Sequence, residues 1–150
     1  MERNGWTLFY FRLFKDRLDG LEQEVTKLAQ TDPKGFIHHP QAKLLKKVVD
    51  AVETEVPTNP SDAKFQLGNT LGPGNRHWRR VKDRLPPRYR LFFQFASTDH
   101  KIVYAWLNDA DTLRKENAKT DVYVVFEKML KQNKVPTDYA TLLANSQSPD

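Results

Sequence analysis

The sequence predicts an α+β domain: an N-terminal strand, an antiparallel helix hairpin, a three-stranded antiparallel meander and a C-terminal helix. Three observations carry this. Apolar residues recur every three or four positions over 14–28 and 44–56, the period of helices buried on one face. Between 78 and 109 the period falls to two, in runs separated by short turns, as antiparallel strands require. The last periodic run, 122–130, is helical again. No linker or internal repeat interrupts the 150 residues, so the expectation is one domain, 1–150.

GWTLFYF (5–11) is aromatic and apolar and suits a short strand. Phe14, Leu18, Leu21, Val25 and Leu28 then fall on one helical stripe, which Pro33 and Gly35 end. Pro40 fits the first turn of a second helix; Leu44, Leu45, Val48, Val49, Val52 and Val56 form its apolar face, and Pro57 stops it. Residues 58–75 are turn-rich, with one short helical turn at SDAKF. The strands of the meander are WRRVKDRL (78–85), RYRLFFQFAS (88–97) and KIVYAWLND (101–109), joined by Pro86-Pro87 and STDHK. DADTLRKENAKT reads as a short helical turn plus loop. Thr120 is the expected cap of the final helix, with Val122, Val125, Phe126 and Met129 or Leu130 facing inward. A further helical turn is expected at 138–143, and a disordered tail at 145–150.

Composition removes several chemistries. There are no cysteines, which excludes disulfides, thiolate metal sites and a Cys nucleophile and fits a reducing cytoplasm. MERNGWTLFYF lacks a secretory apolar core, and no run approaches the roughly 20 apolar residues of a membrane span. The expected location is the cytoplasm, with no membrane partner.

The charge is concentrated. Residues 76–90 hold seven Lys/Arg (Arg76, Arg79, Arg80, Lys82, Arg84, Arg88, Arg90) against Asp83, a local +6 in a chain of +5. Such a patch has two readings: a polyanion site, or a solvated face balanced in space by distant acids. By strand parity, Arg80, Lys82 and Arg84 share one face, opposite Arg79, Val81, Asp83 and Leu85. Likewise Arg88, Arg90, Phe92 and Gln94 oppose Tyr89, Leu91, Phe93 and Phe95.

Facing strands lie about 4.8 Å apart, so their cations can clamp one phosphate, Arg in bidentate fashion. With RNA, the substrate's own 2′-OH can attack that phosphate, and neither a metal nor an enzyme nucleophile is needed. No cofactor and no metal are therefore expected. His38-His39 has no partner at metal-ligand spacing. His77 has two readings, proton shuttle or solvated side chain. Asp109 and Asp111 are a weak Mg²⁺ pair, a helix-cap role for one of them being the alternative.

RRVKDRLPPRYRLFFQFAS, with IVYAWLNDADTLRKENAKTDVYVVFEKMLK, resembles the YhaV toxins of bacterial toxin–antitoxin pairs, within the wider RelE-like group of ribonuclease toxins. NGWTLFYF and AKLLKKVVDAVETEVPTNPSDAKFQLGNTLG are similar too, so the likeness spans about 4–143. It implies a RelE-like twisted sheet with two N-terminal helices on one side and a C-terminal helix. It implies metal-independent cleavage of mRNA, ribosome-associated, by 2′-OH attack, leaving a 2′,3′-cyclic or 3′ phosphate and a 5′-OH. The implied partner is a PrlF-type antitoxin with an AbrB-like part that binds DNA, so DNA is met only indirectly.

Residue by residue, the Lys-x-Lys pair of RelE-like toxins corresponds to Arg80-Val81-Lys82, with Lys82/Arg84 as the alternative register. The Arg of Tyr-Arg-Leu corresponds to Arg90, the late Arg to Arg114, and the Tyr opening the last helix to Tyr123. The resemblance gives Arg90 and Arg114 to the transition-state phosphate, and Arg80 and Lys82 to supplying charge. Tyr123 orients or deprotonates the 2′-OH or stacks a base, and Asp109 serves as base or brace. Arg79, Arg84, Arg88 and His77 are expected to contact RNA. Two alternatives stay open for single residues: an Asp109–Arg114 structural ion pair, and Tyr123 as a half-buried helix aromatic. The rival class for the whole chain is a non-catalytic RNA- or ribosome-binding module.

Overall fold

A computed structural model describes all 150 residues. Two helical layers enclose one mixed sheet. The strands are β1 (Glu2–Arg3), β2 (Trp6–Phe11), β3 (Arg79–Val81), β4 (Leu91–Ala96), β5 (Lys101–Leu107) and β6 (Ser146–Gln147), and the sheet order is β1-β2-β5-β4-β3, with β6 also pairing β2. β3, β4 and β5 form the expected antiparallel meander. The N-terminal strand adds to it in parallel, Leu8 beside Ile102 and Tyr10 beside Tyr104.

Two short strands depart from the sequence reading. Asn4 and Gly5 both have positive φ, 51° and 83°, the two-residue turn that closes a twisted hairpin, and this folds Glu2–Arg3 back onto β2. The tail that composition predicts as disordered carries β6, antiparallel to Tyr10 and Phe11. The meander strands are also shorter than expected. β3 ends at Val81, opposite Leu91, so Lys82, Arg84, Arg88 and Arg90 all lie outside strand structure. The Asp-Arg-Leu-Pro-Pro sequence makes turns instead, since proline has no amide for a ladder. The helical turn expected in 109–120 is irregular turn and loop.

α1 (Arg12–Thr31) starts directly after β2 and buries Phe14, Leu18 and Leu21. α2 (Pro40–Asp50) buries Leu44 and Val48 and packs against α1. The helix does not stop there. It continues through a π-helical turn, Ala51–Glu55, into α3 (Val56–Thr58). Pro57 explains the arrangement. The Val56 amide bonds to Ala51, five residues back, and Pro57 has no N–H to give Val52. The orphaned Val52 carbonyl accepts the Tyr104 hydroxyl instead, at 2.8 Å. Burial holds that phenol protonated, with its pKa pushed well above the ordinary range.

The opposite face is covered by α4 (Val122–Lys131) and α5 (Tyr139–Ala144). Asp121, not Thr120, caps α4: its carboxylate accepts the Tyr123 amide. Asp138 caps α5 in the same way. Alternation splits the strands between two cores. Val81, Leu91, Phe93 and Tyr104 face α1 and α2, whereas Phe92, Ala105 and Trp106 face α4. A β-bulge in the β4–β5 register lets neighbours Ala105 and Trp106 both reach the second core.

Candidate active site

Arg80 leaves β3 on the α4 face, opposite Phe92. Tyr123 opens α4 and packs edge-on against Phe92, 5.9 Å between centroids. Phe92 in turn stacks on Phe126 at 4.1 Å, with Trp106 parallel to both. This aromatic column fixes the phenol, because rotating Tyr123 would open a gap in a fully packed core.

The Tyr123 hydroxyl accepts two guanidinium hydrogen bonds, from Arg80 Nε at 2.8 Å and Arg90 Nε at 3.0 Å. The Arg114 guanidinium lies over the same ring, 5.1 Å from its centroid, and that of Arg90 at 6.0 Å. Backbone carbonyls hold the rest of each fork: Gln66 takes Arg80 Nη1, and Tyr89 takes Arg90 Nη1. Arg90 is only 8% exposed and Tyr123 7%.

Electrostatically the cluster is unbalanced. Arg114 pairs with the nearly buried Asp121 carboxylate at 2.8 Å. Neither Arg80 nor Arg90 forms an ion pair; of the other cations at 76–90, only Arg84 reaches a carboxylate, Glu55 at 3.6 Å. Burial alone would raise the Asp121 carboxyl. The Arg114 guanidinium and the amides of Lys115 and Tyr123 outweigh it and hold the group below the usual carboxylate range. The hydrogen bond to Asp121 likewise pushes Arg114 upward. Two uncompensated guanidiniums, one of them largely buried, make a site suited to an incoming anion.

Of the ten residues that the sequence singles out, the structure brings together Arg80, Arg90, Arg114 and Tyr123. Lys82 is exposed just past β3 and bonds to none of them. Asp109 is exposed, and its Oδ1 is engaged in a local turn with the Asp111 amide and the Thr112 hydroxyl. The Asp109–Arg114 ion pair is not formed, because Asp121 takes Arg114 instead. Arg79 points to the other face, over Phe95 at 5.8 Å. Arg84 is drawn to Glu55, while Arg88 stays exposed in the left-handed region with φ 73°. His77 Nε2 lies 2.6 Å from the Thr137 carbonyl, which gives the ring a structural contact. Asp111 is exposed, and no group of three His, Asp or Glu converges anywhere in the chain.

Two residues at the site escaped the sequence reading. Asp121 sits directly after Thr120, the expected cap. Asn108, fully buried at the end of β5, binds the Arg90 amide through Oδ1 at 2.8 Å.

Residues 8–147 match the family described as toxins with endonuclease activity, of toxin–antitoxin systems. The chain is 41% identical over 140 residues to the protein named ribonuclease toxin YhaV of Escherichia coli (strain K12), covering 93% of this chain and 90% of that one. It matches toxin YhaV of Escherichia coli O157:H7 equally, and that of strain O6:H1 (CFT073 / ATCC 700928 / UPEC) at 40%. The class is therefore an endonuclease toxin whose system includes an antitoxin. The chain belongs to the YhaV toxin family.

Proposed function

We propose that the chain is a ribonuclease toxin whose cleavage site is the Arg80–Arg90–Arg114–Tyr123 cluster. The observation that carries this is the convergence of Arg80 and Arg90 on one hydroxyl with no carboxylate beside either. A scissile phosphate entering there meets two guanidiniums without an internal competitor and a third, Arg114, held in place by Asp121.

In the proposed reaction the RNA 2′-oxygen attacks the adjacent phosphorus as its proton passes to water. The P–O5′ bond breaks, the 5′-oxygen takes up a proton from water, and the products are a 2′,3′-cyclic phosphate and a 5′-OH. The cations stabilise the charge that grows on the phosphoryl oxygens, an effect worth about 3–4 kcal/mol per well-placed donor. Tyr123 orients the 2′-OH. Its oxygen already accepts two hydrogen bonds, which leaves its own proton free to give. No metal takes part in this sequence.

The exposed Lys82 and Arg88 sit beside the cluster in the chain and extend the basic surface for the RNA strand. By the family's resemblance to RelE-like toxins, the target is mRNA on the ribosome, in the cytoplasm. On the same ground the neutralising partner is a PrlF-type antitoxin with an AbrB-like DNA-binding part. No helix of the chain is long and apolar enough to cross a membrane.

The test is cleavage of RNA, and of translating ribosomes, by purified protein in excess EDTA, with the product ends identified. Cyclic or 3′ phosphate together with 5′-OH ends are expected. Activity lost in EDTA and restored by Mg²⁺ would overturn the mechanism. RNA and ribosomes bound but left intact would favour the non-catalytic module.

A further inference from the structure

We propose that Asn108 is a positioning residue that sets Arg90 and Arg114 in register over Tyr123. The inference rests on the ribonuclease reading above. Asn108 touches no group assigned to the reaction's chemistry by its side chain, yet it ties together the backbones that carry two of them.

The side chain is fully buried. Its Oδ1 accepts the Arg90 amide at 2.8 Å. Its Nδ2 donates to the carbonyls of Arg88 at 3.1 Å and Thr112 at 2.8 Å. The Arg88 carbonyl also accepts the Arg114 amide at 2.9 Å. Asn108 and Arg114 thus share one acceptor, and Arg90 hangs from the other end of the same amide. From the helical layer, Arg17 clamps the Asn108 carbonyl through Nε and Nη2, at 3.3 and 3.2 Å. Three segments meet at one residue: the entry to β4, the end of β5 and the loop that delivers Arg114.

The residue type follows from the partners. One acceptor and two donors are needed within one short, planar group, and an amide supplies both. A carboxylate would face two carbonyl oxygens. An apolar side chain would leave an amide and two carbonyls unpaired in a buried place. The backbone of Arg88 supports the same view. A non-glycine residue at φ 73° is strained, and here that conformation turns the Arg88 carbonyl toward both donors. Without Asn108, Arg90 and the Arg114 loop lose their common reference, and misplacement by about 1 Å lowers a rate by about 100-fold.

A double-mutant cycle on the full chain tests this, with single-turnover cleavage of a short RNA. Asn108→Ala should lower the cleavage rate about 30-fold, within the range typical of outer-shell supports, with KM changed less than about twofold. In an Arg114→Ala background the same change should cost less, about tenfold, because one of the two groups it positions is gone. Equal losses in both backgrounds, or a raised KM at an undiminished rate, would overturn the inference.

A second arm needs no cleavage. In Asn108→Ala, amide hydrogen exchange should quicken about tenfold or more at Arg90 and Arg114, while Leu8 and Ile102 in the sheet keep their protection. Uniform acceleration, or none, contradicts the proposal. Should Asn108→Ala not fold, Asn108→Ser, which retains one short donor, is read in the same two ways. Wild-type protein that leaves RNA intact sinks the ribonuclease reading; wild type that cuts, with additive losses in the cycle, sinks this inference alone.

Discussion

The two faces of the sheet are built from the same strands and do different work. Toward α1 and α2, Leu91, Phe93, Tyr104 and their helical partners form an apolar core whose most deeply buried hydroxyl, on Tyr104, is consumed by Val52. Toward α4, Phe92, Trp106 and Phe126 form an aromatic column that ends in a phenol holding two guanidiniums, with a third over its ring. The first face satisfies its deepest hydroxyl within the fold. The second leaves positive charge without a counter-ion. The difference teaches how one sheet can serve two ends: under the proposed function the α4 face holds the chemistry in place, and the α1 face holds the sheet.

The sharpest way to break that contrast is Arg90→Ala. It should lower RNA cleavage by about 100- to 1,000-fold, the cost of one transition-state donor, and abolish growth arrest on expression, with the fold retained by circular dichroism. Next come paired core truncations. Phe126→Ala, in the column, should lose about 3–5 kcal/mol by urea unfolding, and also cleavage per folded molecule. Leu21→Ala, on the other face, should lose about 2–5 kcal/mol with cleavage per folded molecule intact. Equal effects on cleavage would erase the distinction between the faces.

A smaller effect lies in acid. Asp121 has a lowered pKa in the folded chain, so the stability it contributes is complete above its unfolded value, about 4, and is lost as pH falls through the lowered value. Asp121→Asn should therefore cost about 2 kcal/mol near pH 7, and the gap from wild type should close toward strong acid, as read from urea midpoints. The smallest change is expected for Lys82→Ala. Losing one exposed phosphate contact should reduce the log–log salt slope of RNA binding by about 0.7, with much less loss of rate than Arg90→Ala.

Much of the site was legible because strand parity is strict. Arg80 and Phe92 on one side, and Val81, Leu91 and Phe93 on the other, follow from a period of two. Tyr123 and Arg114 came from resemblance, since nothing in their spacing joins a helix start to a loop. What stayed hidden depends on contacts distant in sequence. Asn108 looks like an ordinary polar strand end until the backbones of Arg88, Arg90 and Thr112 surround it. The choice between Thr120 and Asp121 turns on which side chain reaches the Tyr123 amide. The π-helical turn needs Pro57 together with Tyr104, and the parallel β2–β5 pairing needs strands separated by the whole helical layer. The Asn4-Gly5 hairpin is different: its two-residue turn signal stands in the sequence itself.

The central claim is that the Tyr123 hydroxyl, gripped by Arg80 and Arg90, is part of the cleavage machinery. Tyr123→Phe removes that oxygen and keeps the ring against Phe92. RNA binding should persist while single-turnover cleavage falls about 100-fold, the cost of losing the group that orients the 2′-OH. Cleavage within twofold of wild type, by a protein that is folded and binds RNA, would contradict it.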